Sequence, residues 1–517
     1  MTTPAKGETS STDLLGQPLG EPPLPGTAEA LMALPLFPAP AEAASPAGKQ
    51  PIAVIGAGFS GTIATLQLLR RLPPDQPVLL CERSPDFARG VAYATGDNDH
   101  LLNVRAANMS ALPDEPLHFQ DWLRRRAADG GAVAGVFETS AGLFASRGLY
   151  GQYLRSILDY AMRETAGHAQ LRLLPDEVLD IVGGDQGGYE LVCASGQRLR
   201  VAGVVLAVGN LPPEESEDPR ICGNPWGEKA WRPLDPGRRV MIVGTGLTMV
   251  DLAVAMRKRG FTGGIVALSR GGLLPTRHAK AAAWPTPQFT MAEENSLRLL
   301  MARLREEVLA AAEQGIDWRA VIDSMRPITA SIWGRLSLAE RERFLRHARR
   351  AWDIHRHRMA PPHAEMIGSM IAEGTLNVAA GRIRAMEPQD DCVRVRYTPR
   401  HATRDAAEDV SIEVQRVIMA SGLEHISRTR DPLMQRLLDR GLVRMDRQGM
   451  GIDVTDGLNV VRGDETIAER IWALGPIVRG VFWECVAVPD IRVQAAHAAV
   501  GVVARLREDA PRWSFII

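Results

Sequence analysis

The chain has 517 residues, of which 45% are hydrophobic and 23% charged, and its formal net charge is −1. This length allows two or three domains with a buried core, and the composition is that of a soluble globular protein. The balanced charge excludes a general attraction to nucleic acid or anionic membranes, and no apolar run approaches the about 20 residues that span a bilayer.

Residues 1–49 are rich in Pro, Ala, Gly and Ser and lack the basic start and apolar run of a signal peptide. We predict a disordered tail, with order beginning at Pro51. The cysteines are widely spaced and form no Cys-x-x-Cys pair: Cys81, Cys193, Cys222, Cys392 and Cys485. We therefore expect neither a disulfide framework nor a metal site, and a cytoplasmic location.

The stretch IAVIGAGFSGTIATLQLL, residues 52–69, is typical of a short buried strand, a tight turn and an apolar helix. Gly56, Gly58 and Gly61 form the pattern Gly-x-Gly-x-x-Gly, and Ser60 lies at the start of the helix. Such glycines permit the turn, the approach of a pyrophosphate and close helix packing, and the helix N-terminus offers N–H groups to phosphates. The motif predicts a dinucleotide site; the alternative is a tight turn without a ligand.

A second strand–turn–helix pattern, RVMIVGTGLTMVDLAVAM, covers residues 239–256. Gly244 and Gly246 occupy the first two glycine positions, whereas Met249 occupies the third. The third position concerns helix packing, so a side chain fits there if the helix lies slightly farther from the turn.

The two motifs differ at the position that contacts the ribose. Glu82 ends the strand VLLCER 26 residues after Gly56, and Arg270 lies 26 residues after Gly244. A carboxylate accepts hydrogen bonds from a ribose diol but repels a 2′-phosphate, which Ser269 and Arg270 could bind. We therefore predict FAD at the first site and NADPH, rather than NADH, at the second. The alternative for Arg270 is an ordinary solvated arginine.

Two apolar strands, residues 203–210 and 417–422, end in small residues that include Gly209. They resemble the crossings between FAD and NAD(P) domains in two-dinucleotide flavoproteins. Amphipathic helices between them predict an insertion or lid at about 293–358. The predicted fold is α/β, with two Rossmann-like dinucleotide-binding domains and this helical insertion. The predicted parts after the tail are the first FAD segment (50–235), the NADPH domain (236–385) and the completing FAD segment (386–517).

Three segments, residues 90–123, 352–361 and 471–499, resemble a bacterial FAD/NAD(P)-binding flavoprotein family. That family includes FAD-dependent urate hydroxylase and the aspartate N-hydroxylase that forms nitrosuccinate, and the resemblance spans residue 51 to about 505. It implies an NADPH-dependent FAD monooxygenase that uses O₂ and a small, polar, nitrogen-containing substrate, with urate 5-hydroxylation as the first specific hypothesis.

Three other functions stay open: amino-acid N-hydroxylation, NADPH:acceptor oxidoreduction without oxygenation, and non-catalytic FAD/NAD(P) binding. We expect neither a nucleic-acid nor a membrane partner, and the oligomeric state is not indicated. The substrate pocket is expected between the two nucleotide domains, beneath the insertion.

The resemblance places the loop NVRAANM near the isoalloxazine ring, with Asn103, Arg105, Asn108 and Met109 as candidates and Asn108 as a catalytic one. The alternative is a loop that packs on the adenine side or caps a helix.

Trp483 and Glu484 are the other catalytic candidates. They precede Pro489, which suits the first turn of a helix whose N-terminus would stabilise negative charge on the flavin. Gly475 occupies the end of the last FAD-binding strand. The alternative for Glu484 is a structural salt bridge.

The segment IHRHR, residues 354–358, ends an amphipathic helix with two arginines and two histidines. Residues two apart on a helix face different directions, so all four cannot line one site. One hypothesis is that one pair binds an NADPH phosphate or an anionic substrate; the other is a solvated basic helix end. Arg277 and His278 are further candidates for a phosphate or substrate contact.

Overall fold

The computed structural model describes residues 49–508 except 131–132, 169, 186–187, 212, 401–408 and 423–424. Residues 1–48 of the predicted tail lie outside this part, so the disorder of the tail stays a prediction. Within the described residues, no helix has both the length and the apolar character needed to cross a membrane.

The strands are β1 (Ile52–Ile55), β2 (Val78–Cys81), β3 (Val136–Thr139), β4 (Gly142–Ala145), β5 (Leu171–Leu174), β6 (Val178–Gly184), β7 (Gly188–Cys193), β8 (Arg198–Val201), β9 (Gly203–Leu206), β10 (Ile221–Cys222), β11 (Val240–Val243), β12 (Ile265–Ser269), β13 (Leu376–Pro388), β14 (Val393–Pro399), β15 (Val410–Val414), β16 (Arg416–Met419), β17 (Asn459–Val461) and β18 (Ile467–Ala473).

The α-helices are α1 (Phe59–Leu69), α2 (Gly90–Tyr93), α3 (His118–Gly130), α4 (Arg147–Thr165), α5 (Glu228–Trp231), α6 (Leu247–Lys258), α7 (Met291–Glu294), α8 (Leu297–Glu313), α9 (Trp318–Ser324), α10 (Arg326–Arg335), α11 (Leu338–Arg343), α12 (Arg349–Arg356), α13 (Pro361–Ala372), α14 (Pro432–Asp439) and α15 (Val488–Glu508). A π-helical turn, Phe344–Ala348, joins α11 to α12.

The first sheet has the strand order β17-β18-β9-β1-β2-β5, and only β17 and β18 pair antiparallel. Every residue of β1, β2 and β9 is buried, which explains why these strands are continuous apolar runs rather than alternating ones. Helix α1 follows β1, is buried along its whole length and packs against α15. The C-terminal part of the chain therefore completes the domain that carries the first glycine turn.

The second sheet has the order β10-β16-β11-β12-β13-β14-β15. In this order, the neighbours β10, β16, β11, β12 and β13 pair in parallel. Strands β14 and β15 extend the sheet with antiparallel pairing. The sequence placed the domain boundary at residue 385, but β14, β15 and β16 lie beyond it and belong to this sheet. The position of β16 beside β11 is a non-local pairing, which a local sequence pattern does not reveal.

Helices α7 to α12 lie between β12 and β13, where the helical insertion was predicted. Their starts follow from capping side chains: Thr290 forms a capping box at α7, Asp317 caps α9 and Ser337 caps α11. Leu300 and Leu304 of α8 pack with apolar residues of α9 and α10 into a separate core. Two small antiparallel sheets, β3-β4 and β6-β7-β8, complete the fold.

Candidate functional site

The first glycine turn joins β1 to α1, and the folded chain demands glycine at two of its positions. Gly56 has a φ of +95°, and a Cβ atom there would lie 2.6 Å from the carbonyl oxygen of Ala207, just after β9. A Cβ atom at Gly61 would overlap the carbonyl oxygen of Gly56. Neighbouring backbone atoms therefore leave no room for a side chain at either position.

Gly58 is different, because the chain leaves room beside it. A Cβ atom there would meet only the Cα atom of Gly90, at an ordinary 3.6 Å. No side-chain hydrogen bond caps α1 at Gly58, so the first N–H groups of the helix stay available for a phosphate. Gly209, with a φ of +69°, is more open still, with no atom of the described residues within 4 Å of its Cβ position. This open cradle fits the pyrophosphate of a dinucleotide.

Glu82 follows β2 beside the same turn. Its Oε2 atom accepts a hydrogen bond of 2.7 Å from the backbone N–H of Ala57. An ionised carboxylate has about four acceptor positions. The bond therefore orients the carboxylate and leaves acceptor capacity for a ribose diol.

Gly475 brings the C-terminal part of the chain to this turn. It has a φ of +80°, and a Cβ atom there would lie 2.5 Å from the Oγ atom of Ser60. Its N–H donates a hydrogen bond of 3.0 Å to Oε1 of Gln494. Gly475 thus lies between the first turn of α1 and α15, and Pro489 occupies the first turn of α15, as expected from the sequence.

The second glycine turn repeats part of this geometry. Gly244 has a φ of +124°, and a Cβ atom there would overlap the carbonyl oxygen of Ala420. Gly246 has no atom within 4 Å of a Cβ position, and no side-chain hydrogen bond caps α6 there. Met249 is fully buried in the core between α6, α13 and the second sheet. The second turn therefore keeps the open cradle and replaces the third glycine by a core side chain.

Ser269 braces the second turn. The hydroxyl of Thr245 donates to the carbonyl oxygen of Leu273 at 2.6 Å and lies 2.9 Å from the Oγ atom of Ser269. A hydroxyl has one proton, so Ser269 must donate to Thr245, while its own Oγ accepts from the N–H of Gly272 at 3.0 Å. With its proton used, Ser269 has none for a phosphate. In this structure Ser269 therefore holds the turn, and its predicted phosphate contact stays a prediction.

Arg270 is exposed, and within the described residues it makes no hydrogen bond or ion pair. Arg350 of α12 lies beside it, with Nη1 3.0 Å from the Cβ position of Gly271, and it too is exposed and unpaired in the described part. Two guanidinium groups are thus accessible just after β12, where the sequence predicts the ribose of the second nucleotide. The sequence singled out only Arg270, because Arg350 reaches this place from the insertion.

The predicted flavin loop has a mixed environment. Asn108 ends a 3-10 turn and is exposed, whereas Met109 is buried in the core. The carbonyl oxygen of Asn103 accepts a hydrogen bond of 2.8 Å from Nε2 of His278. The loop therefore contacts the segment that follows β12, and the catalytic role of Asn108 stays a prediction.

Glu484 is buried in an ion pair. Its Oε2 accepts from Nε of Arg356 at 2.9 Å and its Oε1 from Nε1 of Trp352 at 2.6 Å. Burial alone would raise the pKa of Glu484, but the charges of Arg356 and His357 and the indole donor outweigh it and lower that pKa. The chain itself engages both carboxylate oxygens, which is the structural salt bridge that the sequence left as the alternative.

Trp483 packs between the insertion and the segment before α15. Its ring stacks on Trp333 at a centroid distance of 4.8 Å and meets the edge of Phe344 at 5.3 Å. Together with the ion pair of Glu484, this packing holds α10 and α12 against the C-terminal part of the chain. These contacts of Trp483 are packing contacts, so its catalytic role also stays a prediction.

The two arginines of IHRHR turn to different carboxylates. Helix α12 ends at Arg356, and Arg358 lies beyond it with only 1% of its side chain exposed. Arg358 Nη2 donates to Oδ1 of Asp323, while its Nε and Nη1 have no partner among the described residues. The Nη2 atom of Arg105, from the flavin loop, lies 3.8 Å from Oδ2 of the same aspartate. We call Arg105, His278, Asp323 and Arg358 the Asp323 cluster.

His278 has a defined tautomer within this cluster. A carbonyl oxygen only accepts, so Nε2 carries the proton donated to Asn103, and Nδ1 presents a lone pair that has no partner in the described part. Burial lowers the pKa of His278 to about 4; the hydrogen bond to Asn103 opposes this, and the charges of Arg358 and Arg105 add to it. The imidazole is therefore neutral at pH 7.

The remaining histidines of IHRHR do not join this site. His355 is half-buried and meets the ring of Trp318 edge-on at 4.8 Å. Burial lowers the pKa of His357 to about 4.

Sequence reasoning missed Asp323, since a single aspartate inside a short helix carries no local signal.

One cavity, of about 200 Å³, is lined by Asp99, Lys258 and His363 among others and by no residue of α7 to α12. It is therefore not the pocket expected beneath the insertion, and that pocket stays a prediction. Within the described residues, no group of three His, Cys, Asp or Glu side chains could hold a metal, and all five cysteines are buried and unpaired.

Comparisons with known proteins agree with this architecture. A protein-family model described as FAD-NAD(P)-binding matches residues 53–211, which contain the first glycine turn and Glu82. No curated protein matches the chain.

Three solved structures share the fold. The reduced ornithine hydroxylase of Pseudomonas aeruginosa is 14% identical with a TM-score of 0.59, over 89% of this chain and 100% of that one. L-lysine 6-monooxygenase of Pseudomonas syringae is 18% identical with a TM-score of 0.58, over 88% and 100%. The FAD-bound cadaverine monooxygenase of Erwinia amylovora is 12% identical with a TM-score of 0.53, over 89% and 95%.

The predicted fold class is confirmed: this is an α/β protein built on two Rossmann-type dinucleotide-binding units, with FAD and NAD(P) as its cofactors.

Proposed function

We propose that this protein is an NADPH-dependent FAD monooxygenase that hydroxylates a nitrogen atom of a small polar amine or amino acid. The balanced reaction converts R–NH₂, O₂, NADPH and H⁺ to R–NHOH, H₂O and NADP⁺. The observation that carries the proposal is the pair of open glycine turns with opposite charges at their ribose ends, Glu82 at the first and Arg270 at the second.

The cofactor and the protein divide the work. Bound FAD supplies the redox chemistry, taking a hydride from NADPH and activating O₂ for the transfer of one oxygen atom. The first turn and the N-terminus of α1 bind its pyrophosphate, and Glu82 accepts from its ribose. The second turn binds NADPH, where Arg270 and Arg350 favour the 2′-phosphate by charge and hydrogen bonding.

We propose that the insertion keeps water out of the active site. Its α10 and α12 are held to the segment before α15 by the Trp333–Trp483 stack and by the bonds of Trp352 and Arg356 to Glu484. A closed, water-poor site favours oxygen transfer to the substrate over wasteful release of hydrogen peroxide.

Nitrogen hydroxylation is favoured over urate 5-hydroxylation because structures that share the fold include enzymes described as acting on ornithine, lysine and cadaverine. Urate 5-hydroxylation stays a hypothesis without comparable support. The buried, unpaired cysteines fit a reducing compartment, and we propose the cytoplasm.

The test is NADPH oxidation by the purified, FAD-loaded protein against lysine, ornithine, aspartate, cadaverine and urate, with hydrogen peroxide and product mass measured together. Oxidation stimulated by one amine, with a product heavier by one oxygen atom and little peroxide, supports the proposal. Uniform oxidation with stoichiometric peroxide points to an NADPH:acceptor oxidoreductase. FAD binding without any oxidation points to a non-catalytic protein.

A further inference from the structure

The Asp323 cluster has more positive than negative charge. Arg105 and Arg358 share the single carboxylate of Asp323, and His278 is neutral. The neighbouring cations do not change this balance, because Arg319 pairs with Asp317 at 2.9 Å and Arg356 pairs with Glu484 at 2.9 Å. The cluster therefore has one positive charge without a counter-charge among the described residues.

The unbalanced charge is accompanied by unused donors. Arg358 is 1% exposed, yet its Nε and Nη1 lack acceptors in the described part. A buried charged donor without an acceptor is unfavourable. A guanidinium pairs with a carboxylate through its Nε–Nη2 edge or its Nη1–Nη2 edge, so an anion would balance the charge of Arg358 and accept from one of the two unused donor atoms.

Backbone pairing brings Arg358 and His278 to the same face. The N–H of His278 donates to the carbonyl oxygen of Met359 at 2.9 Å, and the N–H of Met359 donates to that of Thr276 at 2.7 Å. Arg277 is the parallel bridge partner of Met359, and side chains alternate along extended chains. His278 and Arg358 therefore share one face, while Arg277 points away and pairs with Glu365 at 2.7 Å.

The flavin loop covers this shared face. Asn103 accepts from His278, and Arg105 reaches Asp323. The free Nδ1 atom of His278 is an acceptor, which complements an N–H donor rather than an anion. Acceptor and unused guanidinium together match an amine that carries a carboxylate.

We propose that Arg358, assisted by Arg105, binds the carboxylate of the substrate and that His278 accepts a hydrogen bond from its nitrogen. The preferred substrate is then an amino acid rather than the amine that lacks its carboxylate. This inference rests on the proposed function and adds the groups that determine specificity. A nucleotide phosphate is the other source of an anion, but the exposed Arg270 and Arg350 already serve the second turn.

The first experiment compares matched ligands on the wild-type, FAD-loaded protein by calorimetry. The pairs are lysine with cadaverine, ornithine with putrescine, and aspartate with β-alanine, which each differ by one carboxylate. We expect one acid to bind at least about 10-fold more tightly than its partner, the size of a hydrogen-bonded charge contact. If no acid binds more tightly than its decarboxylated partner, the inference is overturned.

The second experiment assigns the preference to residues. Arg358→Gln should lower the affinity for the acid by about 10- to 100-fold and leave that of the plain amine unchanged. Arg105→Gln should act in the same direction with a smaller effect, and it supplies the test if the buried Arg358 variant does not fold. Arg346→Gln, at an exposed arginine of the insertion, is the matched control and should change neither affinity.

NADP⁺ affinity separates the two sources of anion. If Arg358→Gln weakens NADP⁺ rather than the amino acid, the cluster binds a nucleotide phosphate and the inference is wrong. Binding is measured without turnover, so the carboxylate preference stands or falls independently of whether oxygen is transferred.

His278→Ala should weaken the acid and its amine equally, because it removes the acceptor for the nitrogen that both share. A loss confined to the acid would contradict the assigned role of His278.

Discussion

The two glycine turns have the same backbone geometry at their first glycine position but differ at the third position. Gly56 and Gly244 both have positive φ values and lie against the carbonyl group that follows a neighbouring parallel strand. At the third step, Gly61 lies against the turn itself, whereas Met249 fills the core of its domain. The two positions predicted to face a ribose carry opposite charges, Glu82 and Arg270.

This difference separates three requirements that one glycine motif usually combines. Adjacent backbone makes the first glycine necessary. The second glycine keeps space open for a ligand, since no atom of the described residues fills the place of a side chain at Gly246. The third depends on how closely the helix approaches its own turn, so it varies between two sites of one protein.

The largest effect is expected from Gly61→Ala. The added methyl group overlaps the Gly56 carbonyl oxygen, which cannot move without opening the turn. We expect a loss of about 3 kcal/mol in the free energy of unfolding, measured by urea denaturation, and loss of bound FAD. Gly58→Ala is the control: it should fold normally and only weaken FAD. A stable, FAD-loaded Gly61→Ala protein would show that the two turns do not differ at the third step.

Met249→Ala tests the third position of the second turn by removing a side chain, whereas Gly61→Ala adds one to the first turn. Removing a fully buried side chain should cost about 2–5 kcal/mol in the free energy of unfolding, because a cavity is left in the core. FAD content should stay normal, since the first turn belongs to the other sheet. A cost below about 1 kcal/mol would mean that Met249 is not a packing residue.

Gly246→Ala should separate ligand binding from stability. The position is extended, with a φ of −82°, and its Cβ would meet no atom of the chain, so urea unfolding should not change. We expect NADP⁺ affinity to fall about 100-fold, on the order of 3 kcal/mol, because the methyl group occupies the space of the phosphate. Unchanged affinity in calorimetry would place the nucleotide elsewhere.

The smallest expected effect concerns the charge at the ribose end. Arg270→Ala should raise the KM for NADPH by about 10-fold, the scale of one charged hydrogen bond, and barely change that for NADH. Steady-state kinetics with both nucleotides measures this ratio, with Arg346→Ala as the matched control. Equal losses for NADPH and NADH would remove the 2′-phosphate role.

Much of the fold was predictable because its signals are local. Each turn follows a continuous apolar strand and opens an apolar helix, and the insertion has helical periodicity. Pro489 in the first turn of α15 was predictable for the same reason, since proline suits that position. Strands β14, β15 and β16 lie beyond the predicted boundary at residue 385 and still belong to the second sheet, because β16 pairs with a strand far away in the chain.

The candidate site was less predictable, since contacts decide what a polar residue does. Ser269 suited a phosphate by position, but its hydroxyl proton goes to Thr245. Glu484 was compatible with catalysis or a salt bridge; only the approach of Arg356 and Trp352 showed the salt bridge, and the catalytic role stays a prediction.

The sequence by itself determined the two glycine turns, the opposite charges that follow them and the helical insertion between the strands, because spacing and residue type are properties of short segments. Only the tertiary structure decided which buried charges are paired, brought Arg350 beside Arg270, and left Arg358 with a share of one carboxylate. The physical reason is that burial makes each charge depend on its neighbours in space, and those neighbours come from parts of the chain that no local pattern connects.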